Sequence, residues 1–225
     1  MPSKNILKTY IANGYYHVYN RGVEKRVIFE DEQDYRVFLK YIEEILTPPK
    51  SQDKNTTFNL RGRTYKAEKK FLKNYTNGID LLAYCLMPNH FHFLVKLRDV
   101  TALEGYMRAL MTRYVMYFNK KYDRIGSLFQ GRYKAVLITD ERYLLHLSRY
   151  IHLNPSEYTR DLEGAYSSYA DYLGKRKTPW IKTDEVLPFF NANNIIDFKN
   201  VSSYKNFVEK YKMNSSEILG DFILE

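Results

Sequence analysis

The stretch Leu86-Met87-Pro88-Asn89-His90-Phe91-His92-Phe93-Leu94-Val95 decides how the rest of this chain is read. Two apolar runs, Ile79 to Met87 and Phe91 to Leu97, meet at Pro88-Asn89, a turn signal, and the pattern predicts a β-hairpin. Side chains alternate across a strand, so His90 and His92 project from one face, roughly 7 Å apart along the backbone, while Phe91 points to the other. Such a pair suits chelation of one ion. On its own it is more often a pair of core or interface histidines, and it needs support from elsewhere in the chain.

Working outward, Gly14 to Gly22 (GYYHVYNRG) reads as a first strand. Asp31 caps a helix to Leu46, whose apolar positions Tyr35, Phe38, Leu39, Ile42, Ile45 and Leu46 recur at helical spacing until Pro48-Pro49 stops it. Beyond the hairpin, Thr101 with Glu104 makes a capping box for a helix to about Tyr122, with a stripe of Leu103, Met107, Leu110, Tyr114 and Phe118. Gly126-Ser127 interrupts, and Leu128 to Ile138 reads as extended. A last core helix starts at Thr139 or Asp140, runs through Tyr150 and ends near Asn154, because Pro155 follows.

The order β-α-β-β-α-β-α predicts an α+β protein with the split βαβ arrangement of ferredoxin-like folds: one antiparallel sheet covered by helices. We expect this domain to span residues 1–175. A small helical C-terminal appendage, 176–225, carries a helix over Ser202 to Tyr211, and a further helical stretch is expected over Tyr166 to Leu173.

The 225 residues include 35 Lys+Arg against 26 Asp+Glu, a net charge of +9 that favours a polyanionic partner. Residues 48–78 carry eight Lys or Arg (Lys50, Lys54, Arg61, Arg63, Lys66, Lys69, Lys70, Lys73) and two acids (Asp53, Glu68), a basic and partly mobile insertion. A solvated loop explains such a run at least as well as a DNA-contacting arm. The 22 tyrosines exceed what a core of this size requires and offer faces on which unpaired bases stack. Cys85 is the single cysteine, so no intrachain disulfide forms, and neither a signal peptide at Met1 to Tyr10 nor a membrane-length apolar run is visible. The expected compartment is the cytoplasm.

Tyr150 and Asn154 stand at i and i+4 of the last core helix and share a face. Two imidazoles and an amide oxygen are neutral ligands that leave positions open on a Mg²⁺ or Mn²⁺, which would polarise a phosphate oxygen. With so many tyrosines, only the relation to His90, His92 and Asn154 raises Tyr150 above a packing residue.

Four segments, YHVYNRG (Tyr16 to Gly22), LMPNHFHFLV (Leu86 to Val95), GSLFQGRYKA (Gly126 to Ala135) and SRYIHLNP (Ser148 to Pro155), resemble in order the blocks of the REP-associated tyrosine transposases, which are single-tyrosine insertion-sequence transposases of the HUH endonuclease superfamily. The resemblance covers about residues 14 to 175. It implies that His90 and His92 are the metal-binding pair, Asn154 the third ligand and Tyr150 the nucleophile. It also implies cleavage of single-stranded DNA near a hairpin, leaving a 5′-phosphotyrosine and a free 3′-OH. The chemistry is self-consistent: the phosphotyrosine ester conserves the energy of the broken bond, so no nucleotide is needed, and the chain has no P-loop. The insertion at 48–78, Ser156-Glu157 after Pro155, and Tyr166 in place of a frequent tryptophan depart from the pattern.

His146, one turn before Tyr150, is a candidate to contact the phosphate or to help deprotonate the phenol. Arg21, Arg108, Arg113, Gln130 and Arg132 are candidate DNA contacts, against ordinary surface salt bridging. His17 and His152 receive no role. The protein is read as a monomer or a homodimer. Two other readings stand beside this one: a non-catalytic single-stranded nucleic-acid-binding module on a ferredoxin-like sheet, and a hydrolase in which water attacks instead of Tyr150.

Overall fold

The computed structural model describes residues 10–48, 55–68, 73–190, 201, 203–211 and 219–220. The flanks of the basic insertion (Lys50, Asp53, Lys54, Lys69 and Lys70), most of Met1 to Tyr10 and Ser202 lie outside them. Four strands form the main sheet: β1 (Tyr15–Arg21), β4 (Ile79–Met87), β5 (His90–Leu97) and β6 (Lys134–Ile138), in the order β4-β5-β1-β6 with every neighbour antiparallel. This is the ferredoxin-like order expected from the sequence.

The period-two alternation of β5 divides the protein into two layers. Phe91, Phe93, Val95 and Leu97 face α1 (Glu32–Leu46) and α2 (Ala102–Lys121) in one core with Phe38, Ile42, Tyr106, Leu110 and Tyr114. Leu94 faces the other way, into a second core with Leu144, Leu147 and Ile151 of α3 (Glu141–Leu153). His90 and His92 share the parity of Leu94, so they face α3.

Helix starts follow the capping chemistry with one exception. Asp31 and Asp34 form a reciprocal capping box on α1, and Asp140 accepts from Arg142 and Tyr143 N–H at the start of α3. The expected capping box of Thr101 with Glu104 is not made. The Thr101 hydroxyl and N–H bind Asp99 instead, a local turn that competes with the helix for the same hydroxyl.

Two further elements differ from the sequence reading. The centre of the insertion is a two-stranded ribbon, β2 (Asn55–Leu60) and β3 (Arg63–Glu68), closed by the two-residue turn Arg61-Gly62. Of the stretch from Tyr166 to Leu173 only one turn, α4 (Tyr169–Tyr172), is helical. Tyr166 C=O and Ser168 N–H are spent on the exposed edge of β4, bonding Leu86 N–H and Tyr84 C=O, and a helix cannot supply those bonds.

After this, α5 (Tyr204–Lys210), capped by Ser203, lies against α3. Tyr204, Phe207 and Val208 are buried in the second core, and the buried Arg149 donates to Phe207 O (2.7 Å) and Tyr211 O (2.9 Å). Among the described residues no helix is long and apolar enough to cross a membrane.

Candidate active site

The two histidines, Tyr150 and Asn154 converge because β5 and α3 face each other across the second core. The His92 and Tyr150 rings meet edge to face with centroids 5.4 Å apart, and Asn154, at the C-terminus of α3, brings its Oδ1 to 3.3 Å from His90 Nε2. The Asn154 side chain also lies beside the Tyr150 phenol and favours its ionised form. All four residues belong to one chain.

The tautomers follow from the partners. Asn89 donates its amide to Lys25 O (3.2 Å), which turns its Oδ1 toward His90 Nδ1 at 2.6 Å, so Nδ1 carries the proton. Burial pushes the His90 pKa down to about 4, the Asn154 contact opposing and the Arg21 charge adding to it, so the ring is neutral at pH 7. Its Nε2 lone pair then faces the lone pairs of Asn154 Oδ1. Two acceptors turned toward one another repel unless a cation or donor lies between them.

His92 is fully buried. Its Nδ1 is 2.8 Å from His17 Nε2 on β1, with the rings stacked at 5.0 Å between centroids, and its own Nε2 has no hydrogen-bond partner among the described residues. Burial, followed by the neighbouring His17 and His90, holds its pKa well below the usual imidazole value. A fully buried imidazole nitrogen with no partner costs free energy, and a positive ion at that point removes the cost. Among the described residues no three His, Cys, Asp or Glu cluster as a metal site, so a cation here would rest on two imidazoles and an amide. That set suits Mg²⁺ or Mn²⁺ with open positions for phosphate oxygens. The residues fit the group.

Tyr150 is half-buried, and desolvation raises its pKa to about 12, with the Cys85 thiol adding to the rise and the Asn154 side chain opposing it. The phenol is protonated at neutral pH and becomes nucleophilic only where positive charge compensates its ionisation.

The other candidates separate into two groups. Arg21 lies directly opposite His90 in the sheet and donates through Nε to the Gln130 side chain, while Gln130 N–H bonds Arg21 O (2.8 Å). Both stand beside the histidine pair, with Arg132 exposed in the same turn. Arg108 and Arg113 do not. They ride on α2, across the sheet from the histidines, where Arg113 pairs with Glu44 and lies over the Tyr41 ring (4.0 Å).

His146 also turns away: it packs on Phe207 and Tyr211, with ring centroids at 5.5 and 5.8 Å. Four residues turn a helix by roughly 400°, so His146 and Tyr150 are offset by about 40°. On a helix covered from two sides, that is enough to send them to different neighbours.

His17, Asn89 and His152 carry no role in the sequence reading. His152 joins Tyr204 (2.6 Å) and Ser168 (2.7 Å) in a buried polar cluster that also takes in Ser148. These ties lock α3 between β4 and α5, on either side of Tyr150.

Residues 45–154 match the family model described as "Transposase IS200 like", a stretch that contains His90, His92, Tyr150 and Asn154. Over that stretch, just under half of the chain, the sequence is similar to the IS200-like transposases. The chain is also similar in structure to the REP-associated tyrosine transposase solved bound to a REP hairpin, with a TM-score of 0.51, 11% sequence identity, and coverage of 80% of this chain and 98% of that one. At that identity the likeness is one of fold. A crystal structure from Deinococcus radiodurans R1, provisionally described as a transposase, matches at a TM-score of 0.37 and 15% identity, over 64% of this chain and 92% of that one. No curated protein sequence matches the chain.

Proposed function

We propose that this protein cleaves and rejoins single-stranded DNA through Tyr150, next to a hairpin-forming segment, with a divalent cation held by His90 Nε2, His92 Nε2 and Asn154 Oδ1. The observation that carries this reading is the convergence of the partnerless His92 Nε2, the facing acceptors of His90 and Asn154, and the Tyr150 phenol at one point of one chain. A bound Mg²⁺ or Mn²⁺ would supply Lewis-acid polarisation of the scissile phosphate and charge to offset ionisation of the phenol.

The remaining work falls to the protein. Tyr150 Oη bonds to phosphorus as the P–O3′ bond breaks. The phenol proton ends on the departing O3′, giving a 5′-phosphotyrosine and a 3′-OH, and a second 3′-OH reverses the step. Asn154 favours the ionised phenol, and Arg21 with Gln130 is positioned to hold the DNA backbone. The REP hairpin carried by the similar structure supports a folded single-stranded substrate here. The cytoplasm, where Cys85 stays a thiol, is the proposed compartment.

Incubation of the protein with single-stranded hairpin DNA and Mg²⁺ or Mn²⁺ should give a denaturant-resistant protein–DNA adduct that is absent in Tyr150→Phe and suppressed by chelator. Cleavage without adduct in Tyr150→Phe would instead assign the attack to water.

A further inference from the structure

We propose that the β2–β3 ribbon is a second DNA-binding element that grips the duplex stem of a hairpin substrate at a distance from the cleavage site. The inference rests on the reading of the substrate given above and adds a surface and a geometry to it.

The segment 48–78 holds eight Lys or Arg and two acids, +6 of the chain's +9, so the remaining residues are close to neutral. At its centre the ribbon forms a sheet of its own and pairs with no strand of the main sheet. An isolated two-stranded ribbon is marginal in water, so its retention calls for a partner. Asn59, Arg61, Arg63, Thr64 and Tyr65 are all exposed.

The root of the ribbon is fixed. Asn74 donates to Thr47 O (2.6 Å), Thr76 Oγ1 to Leu46 O (2.7 Å) and Tyr75 N–H to Ile45 O (2.9 Å), which staples the returning chain to the end of α1.

The tip carries the most specific signal. Arg61 (φ 50°) and Gly62 (φ 76°) are both left-handed, as a two-residue turn between twisted strands requires. Glycine takes that backbone freely, whereas arginine there costs about 1 kcal/mol, and asparagine or aspartate would serve the turn better. The strain is kept at an exposed position where its one product is a guanidinium at the extremity of the ribbon, beside that of Arg63. Two planar, always-charged forks suit phosphates and guanine edges, and a two-stranded ribbon has the width of a B-DNA major groove.

The geometry selects the stem over the cleaved strand. The insertion rejoins the sheet at Ile79, opposite Leu97, whereas Met87 opposite His90 marks the end that carries the active site. Seven residues of strand separate the two levels, about 23 Å, or about seven base pairs at the roughly 3.4 Å rise along a strand of DNA. A stem of four base pairs falls short of the level at which the insertion rejoins the sheet, and one of twelve extends past it.

The test measures binding of fluorescent hairpins with four- and twelve-base-pair stems and identical single-stranded flanks, across a salt series, for wild type and for Arg61→Asn/Arg63→Thr. Those replacements favour the turn and the strand, so the ribbon is kept and lost binding cannot be laid to unfolding. Wild type should bind the longer stem at least tenfold more tightly. The double variant should lose most of that gain, with the slope of log K against log salt reduced by about 2, while adduct yield on the short stem is unchanged.

The proposal is overturned if the variant keeps both the gain and the slope, if it weakens both stems equally, or if it loses binding only to anionic phosphatidylserine vesicles tested in parallel. A stem-length gain that depends on Arg61 and Arg63, in a protein that forms no adduct with any DNA, would leave the ribbon assignment standing and remove the strand-transfer reading.

Discussion

His17 Nε2 lies 2.8 Å from His92 Nδ1 in the buried centre of the sheet, and this contact decides which nitrogen of His92 faces Tyr150 and Asn154. Two histidines on adjacent strands, diagonal to each other in the register, form a unit in which one imidazole orients the other.

Replacing His17 should therefore act on cation binding before it acts on anything else. Outer partners of ligand histidines typically contribute 10–100-fold to metal affinity. His17→Phe is expected to raise the Mn²⁺ concentration for half-maximal adduct formation by about that factor, and His17→Gln, which restores an acceptor, to recover part of it. Cation-free DNA binding should be the same for all three proteins. An unchanged Mn²⁺ requirement in His17→Phe would show that the pair is only packing.

Asn154→Ala removes both the contact to His90 and the polar influence that favours ionisation of the phenol. Adduct formation should fall at least tenfold and recover only in part at saturating Mn²⁺, because the phenol stays harder to ionise. Full recovery would confine Asn154 to the cation.

Arg149→Met tests the hold of the C-terminal segment on the tyrosine helix. The buried guanidinium donates to two carbonyls at the end of α5, where a cation also complements the helix dipole. Hydrogen bonds to a charged group contribute about 1.5–3 kcal/mol, so urea unfolding should show a loss of about 2–3 kcal/mol. A change below about 0.5 kcal/mol would mean that α3 is held without this tie.

Stability should fall in mild acid. Burial lowers the pKa of His146 to about 4 and of His152 to about 3, with nearby arginines adding to the shift, while the unfolded values stay near 6.5. Between pH 6.5 and about 4 the unfolded chain takes up protons that the folded chain refuses. Stability is thus complete above pH 6.5 and is lost as the pH drops, by up to about 1.4 kcal/mol per pH unit for each histidine. Denaturant midpoints at pH 7.5 and 5 should differ accordingly, and less so in His146→Phe. A flat profile would contradict the burial of these rings.

Much of the fold is legible in the sequence because its signals are local. Alternation in His90 to Leu97, the Pro88-Asn89 turn, the stripe from Leu103 to Phe118, and Asp140 with Pro155 at the two ends of α3 each act within a few residues. The ribbon at 55–68 was missed because its turn is Arg61-Gly62, which carries arginine where asparagine or aspartate would announce a hairpin.

The sequence by itself determined that His90 and His92 share a face, that Tyr150 and Asn154 share another, and that most of the net positive charge lies in residues 48–78. Only the tertiary structure decided that those two faces meet in one chain. It alone also decided that His17 orients His92, that Asn89 sets the tautomer of His90, that His146 turns to α5, and that Arg108 and Arg113 lie across the sheet from the histidines. The reason is physical. Which residues share a face follows from the strand and helix repeats, whereas which faces meet depends on strand register and helix docking, fixed by contacts between residues far apart in the chain.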